Sequence, residues 1–204
     1  MLLVIIVQGV IIAWPESELE QKPTAVIAGC MVDVGEYTFQ KYHYTYVDEF
    51  KDPRKVFDVK IPLTTKSFVY AIPGTISYGF DMTEIKEDDI KVNIVTKKVT
   101  INMPEMFILS HEQDAEDVKI YAEDNNILNL IKTEDFQNVL VKTKKATEQD
   151  DLDRGVIEET KANAASMIKT IINVLPEYSE YDVELKFVEQ ENIRNINEVV
   201  TESE

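Results

Sequence analysis

Alternating apolar and polar residues first predict a hairpin in the middle of the chain. Residues 66–72 and 75–79 are rich in Phe, Val, Tyr and Ile, and they flank Pro73-Gly74. This pair favours a turn, because proline presets φ and glycine permits a positive φ. The pattern therefore predicts two short strands that reverse direction at Pro73-Gly74.

A second hairpin is predicted directly afterwards. Residues 91–95 and 99–103 have apolar residues at alternate positions, and Thr96, Lys97 and Lys98 lie at the turn. Two hairpins in series predict an antiparallel sheet with one solvated face. Further strands are predicted at residues 35–47, 106–109, 118–121 and 181–188.

The first of these strands carries a row of aromatic side chains. Residues 35–47 read GEYTFQKYHYTYV. Such a row can stack on a sugar or a peptide, but cross-strand packing with phenol groups at the surface is the more common use. Residues 50–55 contain Asp52-Pro53 and predict a loop.

A helical pattern begins at Thr133. Thr133 is the predicted N-cap, and the acidic residues that follow it favour the positive end of the helix dipole. Apolar residues recur at helical spacing up to Leu175, where Pro176 ends the pattern. Gly155 predicts a break or bend inside this span.

Together these elements predict an α+β fold. We expect one mainly antiparallel sheet of about five to seven strands, packed against a long C-terminal helix or helix pair, because each apolar face must be buried on the other. A short apolar segment precedes the domain. The expected boundaries are residues 1–14 for the anchor-like segment, 15–31 for a juxtamembrane or packing segment, 32–188 for the domain and 189–204 for an acidic tail.

The N-terminal segment, residues 1–14, has three interpretations. It is apolar except for Gln8, and Trp14 lies where an interfacial aromatic residue belongs. This favours a membrane anchor whose upstream end is missing from the chain. A cleaved signal peptide is an alternative that lacks a basic leader. A buried apolar helix or strand is the third.

Cys30 lies in the run Ile-Ala-Gly-Cys, which resembles a lipoprotein cleavage box. Such a box directly follows the apolar segment, whereas several charged residues intervene here. The alternative is that residues 24–34 pack on the sheet as a helix, with Cys30 as a small apolar residue. A single cysteine cannot form an intramolecular disulfide.

The chain is strongly acidic, with 38 Asp and Glu against 21 Lys and Arg and a net charge of −17. This charge disfavours nucleic acid as a partner, because phosphate binding needs a basic surface. It also disfavours electrostatic docking of the whole domain on anionic lipid.

The sequence contains few catalytic signals. No phosphate-binding glycine motif and no nucleophile-elbow motif occurs in it. The candidate functional residues are Lys66, Asp81, His111 and Glu112. Asp81 also fits a structural role as the cap of a helical turn, and a solvated acidic connector is the ordinary interpretation of the acids that follow His111. We therefore expect no metal and no cofactor.

Four runs follow one another in a distinctive order: LTTKSFVYAIPGTISYGFDMTEI, INMPEMFILSHEQDAEDVKIYAEDNNILNLI, KANAASMIKTIINVLPEY and YDVELKFV. In this order and spacing the chain resembles a bacterial family known as domain of unknown function 4230, over roughly residues 32–188. The resemblance implies a short membrane segment before the domain and no assigned chemistry. The positions matched to the family pattern are Lys66, Gly74, Gly79, Asp81, Pro104, Glu112 and Asn126.

These observations predict a membrane-tethered, non-enzymatic domain that binds a protein or a cell-envelope component. We expect it at the cell membrane on a single N-terminal anchor, with the domain outside the cytoplasm, because acidic residues follow the anchor. One alternative is a hydrolase or metal-dependent enzyme built around His111 and its neighbouring acids. The other is an oligomeric structural subunit that assembles through the long helix.

Overall fold

The computed structural model describes residues 5–7, 10–12, 23–32, 35–57, 59–114, 116–124, 128–190 and 193–195. Its strands are β1 (Ile5–Val7), β2 (Val10–Ile12), β3 (Glu36–Val56), β4 (Val59–Asp81), β5 (Ile90–Asn93), β6 (Lys98–Asn102), β7 (Met106–Gln113), β8 (Lys119–Asp124), β9 (Asp182–Lys186) and β10 (Arg194–Asn195). Its helices are α1 (Pro23–Val32), α2 (Thr133–Asp153) and α3 (Val156–Val174). Short 3-10 turns lie at Met82–Glu84, Glu87–Asp89 and Pro176–Tyr178.

One long hairpin, formed by β3 and β4, dominates the fold. The two strands pair antiparallel from Glu36 and Asp81 at one end to Val56 and Val59 at the other. The turn predicted at Pro73-Gly74 is therefore wrong, since β4 runs straight through it.

Neighbouring strands explain why β4 accepts a proline. Along one edge, β4 pairs with β8 over Ser67–Ala71 and with β7 over Gly74–Phe80. Pro73 lies at the junction, and its carbonyl accepts a hydrogen bond from Asp114 N at 3.4 Å. A residue's N–H and C=O face the same neighbour in an antiparallel ladder. The missing N–H of Pro73 therefore falls where β4 changes partners.

The loop predicted at residues 50–55 is also wrong. These residues belong to β3, and the ladder only shifts register between Pro53 and Lys55. Such irregularities accommodate a proline within a strand.

The strands form two principal sheets rather than one. The larger has the order β10-β7-β4-β3, with β8 beside β4, and the smaller has the order β5-β6-β9. The hairpin of β5 and β6 is confirmed, but it pairs with β9, which runs parallel to β6. The α+β class is confirmed.

The main apolar core lies between α1, α3 and the smaller sheet. Ile27 and Met31 of α1, Ile101 of β6 and Ile168 of α3 are all fully buried there. The prediction that residues 24–34 form a packing helix is confirmed over residues 24–32 by α1, in which Cys30 is half-buried, and residues 33 and 34 lie outside the described residues.

The predicted long helix is divided at Gly155, which adopts a positive φ of 85°. A glycine tolerates this conformation at little cost, and the break is as predicted. Lys132, not Thr133, precedes the first helical residue, and its N–H is bound by the Asp135 carboxylate at 2.7 Å. This carboxylate caps the helix in place of the Thr133 hydroxyl.

The predicted anchor, residues 1–14, lies mostly outside the described residues. Within it, β1 and β2 are described and pair antiparallel. In the part of the chain that the structure describes, no helix is long and apolar enough to cross a membrane. The predicted tail, residues 189–204, is described only at Glu189, Gln190 and 193–195.

Candidate functional site

Polar side chains line the contact between α2 and the larger sheet. The buried residues of α2 recur every fourth position and are Asp135, Val139, Thr143, Thr147 and Asp151. Four of these five are polar, although a buried helix face is ordinarily apolar. We call the residues of this contact the polar seam: the four polar residues of α2 with Tyr44, Tyr70, Tyr78, His111, Glu148 and Lys66.

His111 occupies the middle of the polar seam. Its imidazole Nε2 lies 2.8 Å from the Tyr44 hydroxyl, and its Nδ1 lies 2.6 Å from Glu148 Oε1. The imidazole is fully buried, whereas the Glu148 side chain is 29% exposed. A neutral ring satisfies both contacts if Nδ1 donates to the carboxylate and Nε2 accepts from the phenol.

Tyr78 and Asp151 form a second pair in the seam. The Tyr78 hydroxyl donates to Asp151 Oδ2 at 3.0 Å, and both residues are buried. Burial raises the pKa of the Asp151 carboxyl, although the hydrogen bond from Tyr78 and the charge of Arg154 oppose this rise. Burial and the nearby Asp151 carboxylate raise the pKa of Tyr78.

A small pocket of about 160 Å³ opens beside these pairs. It is lined by Tyr78, Ile108, Lys145, Glu148, Gln149, Leu152 and Ile193. Glu148 lines this pocket, whereas His111 does not.

Lys66 lies at one end of the polar seam. Its Nζ is 2.7 Å from Asp135 Oδ2 and 3.4 Å from Asp52 Oδ2, and the Lys66 side chain is only 4% exposed. Burial alone would lower the pKa of Lys66, but the hydrogen bond and charge of Asp135 outweigh it and raise that pKa. Burial likewise opposes ionisation of Asp135, yet Lys66 and the Lys132 N–H hold the pKa of Asp135 below its usual range.

The four candidate residues from the sequence do not converge on one site. Lys66 contacts Asp135 and His111 contacts Glu148, and these acids are thirteen positions apart in α2, or about 20 Å. Glu112 is exposed, because successive residues of a strand point to opposite faces.

Asp81 has the structural role considered for it. Its carboxylate accepts hydrogen bonds from Thr83 N at 2.9 Å and from the Thr83 hydroxyl at 2.6 Å. It thereby caps the 3-10 turn at Met82–Glu84.

The acidic residues after His111 divide between a strand and a connection. Glu112 belongs to β7, whereas Asp114, Glu116 and Asp117 are exposed in the connection to β8, where Glu116 N donates to Asp114 Oδ1. Within the described ranges, no group of three or more His, Cys, Asp or Glu residues is arranged to hold a metal ion. Asn126, matched to the family pattern, lies outside the described residues.

The contacts of the polar seam hold α2 against β4 and β7 of the larger sheet. Both ring nitrogens of His111 are engaged by protein groups, so the imidazole has no lone pair directed at a substrate.

The sequence alone did not identify Tyr44, Tyr78, Glu148 and Asp151 as members of this site. The one indication in the sequence was that Thr143, Thr147 and Asp151 are four positions apart, which places these polar residues on one face of a helix.

A second candidate site is the closed end of the β3–β4 hairpin, which we call the hairpin tip, residues 54–57, 59 and 60. Val56, Phe57 and Val59 are exposed, and Phe57 is 97% exposed. Leu63, close to the tip in sequence, is 93% exposed. Clustered apolar side chains at a surface mark interaction sites, whereas single ones are ordinary.

The fold and the two candidate sites define an α+β domain with an internal polar seam and a projecting apolar tip. A family model described as Protein of unknown function (DUF4230) matches residues 31–183, so the chain belongs to that family. The resemblance seen in the sequence is confirmed. No curated protein and no solved structure matched the chain.

Proposed function

We propose that this domain is a membrane-tethered, non-enzymatic module that binds a protein or another cell-envelope component through the hairpin tip. The observation that carries the proposal is the exposure of Val56, Phe57 and Val59 together at the end of a long hairpin. Aromatic residues supply much of the binding energy at interfaces. Leaving them in water has no benefit for the fold, so their exposure supports a binding role.

The polar seam supports the non-enzymatic part of the proposal. A general base needs a lone pair within reach of a substrate proton. The Nε2 atom of His111 faces Tyr44, and Nδ1 faces Glu148. Both are therefore committed to contacts that hold α2 on the sheet.

The tether is proposed from the apolar residues 1–14 and the interfacial position of Trp14. We infer that the domain lies outside the cytoplasm, because acidic residues follow the segment and Lys22 is the first basic residue after it. Protease added to intact cells, in an envelope that admits it, is expected to remove the domain. Full protection would overturn this orientation.

Binding through the hairpin tip is tested by affinity capture from solubilised cell envelope with the full chain as bait. The wild type is compared with Phe57→Ser. The matched control is Val95→Ser, because Val95 is 94% exposed in the turn between β5 and β6, which belong to the smaller sheet and not to the sheet of the hairpin tip. We expect one envelope component to be retained by the wild type and the control and lost with Phe57→Ser. Equal retention by all three proteins would overturn the role of the tip.

A further inference from the structure

The hairpin tip is basic, in contrast to the rest of the chain. Residues 54–60 hold three basic side chains, Arg54, Lys55 and Lys60, against one acid, Asp58. The whole chain has a net charge of −17. Positive charge is thus concentrated around the exposed apolar residues of the tip.

Two of these basic residues face each other across the hairpin. Lys55 pairs directly with Lys60 in the ladder, and both are exposed. Like charges directly opposite each other destabilise an antiparallel pair. A sequence selected for the stability of the hairpin alone would place opposite charges here, so the arrangement suits an anionic ligand that approaches both amines.

The backbone conformation at the tip also exposes a bulky side chain at a cost in conformational stability. Phe57 adopts a φ of 48°, in the left-handed region. This conformation is an outlier for a bulky residue, and such residues are concentrated at functional sites. Glycine or asparagine would be accommodated there more readily, yet the position carries a phenylalanine that is almost wholly exposed.

The tip projects far enough to enter a lipid interface. Arg54 Nη1 donates to the Leu128 carbonyl at 3.3 Å and so marks a contact between the hairpin and the body of the domain. Phe57 lies three positions after Arg54, which corresponds to about 10 Å of extended chain. Interfacial elements bury their apolar side to a depth of about 5–10 Å in the boundary between headgroups and acyl chains.

We propose that the hairpin tip inserts into the interface of an anionic lipid bilayer. Phe57 and Val59 enter the acyl boundary, while Arg54, Lys55 and Lys60 contact lipid phosphates. This inference rests on the proposed function, since it names the envelope component that the tip binds. The net charge of the chain opposes approach of the whole domain, so contact is confined to the tip.

The size of the tip favours a bilayer over a protein partner. A stable protein–protein interface takes about 20–30 residues from each side. The hairpin tip offers six described residues at the end of two paired strands. A bilayer accepts such a projection because it surrounds the inserted side chains without requiring a complementary surface.

The test places a fluorescent reporter at the tip of the full chain. Trp14 is the single tryptophan, so Trp14→Phe gives a silent background in which Phe57→Trp reports on the tip. Val95→Trp in the same background is the matched control. Each protein is mixed with phosphatidylcholine vesicles, with and without phosphatidylglycerol, that contain brominated acyl chains as a quencher.

We expect a blue shift and strong quenching for tryptophan at position 57, only with phosphatidylglycerol, and neither effect at position 95. Because each lysine near an anionic surface contributes about 1 kcal/mol, Lys55→Gln with Lys60→Gln should weaken insertion about 30-fold. The control Lys91→Gln with Lys119→Gln removes the same charge from other exposed positions and should leave insertion unchanged.

Absence of quenching at position 57, or equal quenching at positions 57 and 95, would overturn the inference. Quenching of equal size in neutral vesicles would overturn the requirement for anionic lipid. If vesicles fail but a captured envelope protein depends on Phe57, the lipid inference is wrong and the proposed function stands. If neither lipid nor an envelope component depends on Phe57, both are wrong.

Discussion

The hydroxyl group of Tyr44 occupies the space that a side chain on Gly74 would need. A β-carbon at Gly74 would lie 2.4 Å from the Tyr44 oxygen and 2.8 Å from the Glu112 carbonyl oxygen. Both distances are far below van der Waals contact. Gly74 is therefore required for close approach and not for a turn, and it lets the Tyr44 hydroxyl reach His111.

The first prediction follows from this contact. Gly74→Ala should lower the free energy of unfolding by about 1–3 kcal/mol, because the added methyl group would overpack the contact with Tyr44. Gly29→Ala is the matched control, because a β-carbon there meets no atom within 4 Å and α1 would gain helix propensity. Urea denaturation of both variants measures the difference. Equal stability of Gly74→Ala and wild type would contradict the assigned contact.

The buried ion pair of Lys66 and Asp135 gives the second prediction. Asp135→Asn leaves the Lys66 charge buried, with Asp52 as its remaining carboxylate at 3.4 Å. Removing one partner of a buried pair costs about 3–5 kcal/mol. Thermal unfolding at neutral pH should show this loss, and the exposed neighbour variant Glu134→Gln should stay within about 0.5 kcal/mol of wild type. If both variants lost a similarly small amount of stability, the pair of Lys66 and Asp135 would not be buried as described.

The third prediction is the pH dependence of the same pair. The folded-state pKa of Asp135 is lowered, so its stabilisation is full above the unfolded-state value of about 3.9 and is lost as pH falls through the folded-state value. The pKa of Lys66 is raised, so its stabilisation is full below about 10.4 and is lost as pH rises through the folded-state value. The difference in unfolding free energy between wild type and Asp135→Asn should therefore be largest between about pH 4 and 10. A difference that does not change with pH would contradict this assignment.

Asp151 gives a prediction of opposite sign. Its folded-state pKa is raised, so the ionised carboxylate opposes folding and protonation favours the folded state. Asp151→Asn keeps an acceptor for the Tyr78 hydroxyl and removes the buried charge. We expect the variant to be at least as stable as wild type at neutral pH, with the advantage shrinking as pH falls. The control Asp150→Asn changes an exposed carboxylate, and a larger loss for Asp151→Asn than for this control would contradict the interpretation.

The fifth prediction concerns the apolar core. Ile168 is fully buried on α3. Ile168→Asp should destabilise the domain by several kcal/mol, because an unpaired charge is buried. The exposed neighbour Lys169 provides the control Lys169→Asp. Unchanged thermal stability of Ile168→Asp would show that α3 does not pack as described.

Local patterns predicted most strands and helices. The errors arose where contacts between residues far apart in the sequence determine the backbone conformation. Pro73-Gly74 has the composition of a turn, but the change of neighbour from β8 to β7 accommodates the proline, and Tyr44 explains the glycine. The actual reversal, beside Phe57, lacks the glycine that marks such turns. Turn chemistry is a local signal, whereas strand pairing here joins residues far apart.

The polar seam was only partly predictable. His111 was recognised as a candidate, yet its partners Tyr44 and Glu148 lie 67 and 37 positions away. Alternation along β7 indicates that His111 and Glu112 face opposite ways, but it does not indicate which side is buried. Polar residues at every fourth position of α2 are visible in the sequence. Because these side chains are buried, the sheet surface that faces them must also be polar, and the tyrosines of β3 and β4 supply it.

The length of β4 has a mechanical consequence. The strand runs unbroken from Val59 at the hairpin tip to Asp81, which leads into the 3-10 turn packed against α1. The ladder hydrogen bonds are perpendicular to the strands, so a force along β4 loads them side by side in shear and does not open them one at a time. We therefore expect tension applied at Phe57 to be transmitted along β4 to the core beside α1 without breaking the strand hydrogen bonds one after another.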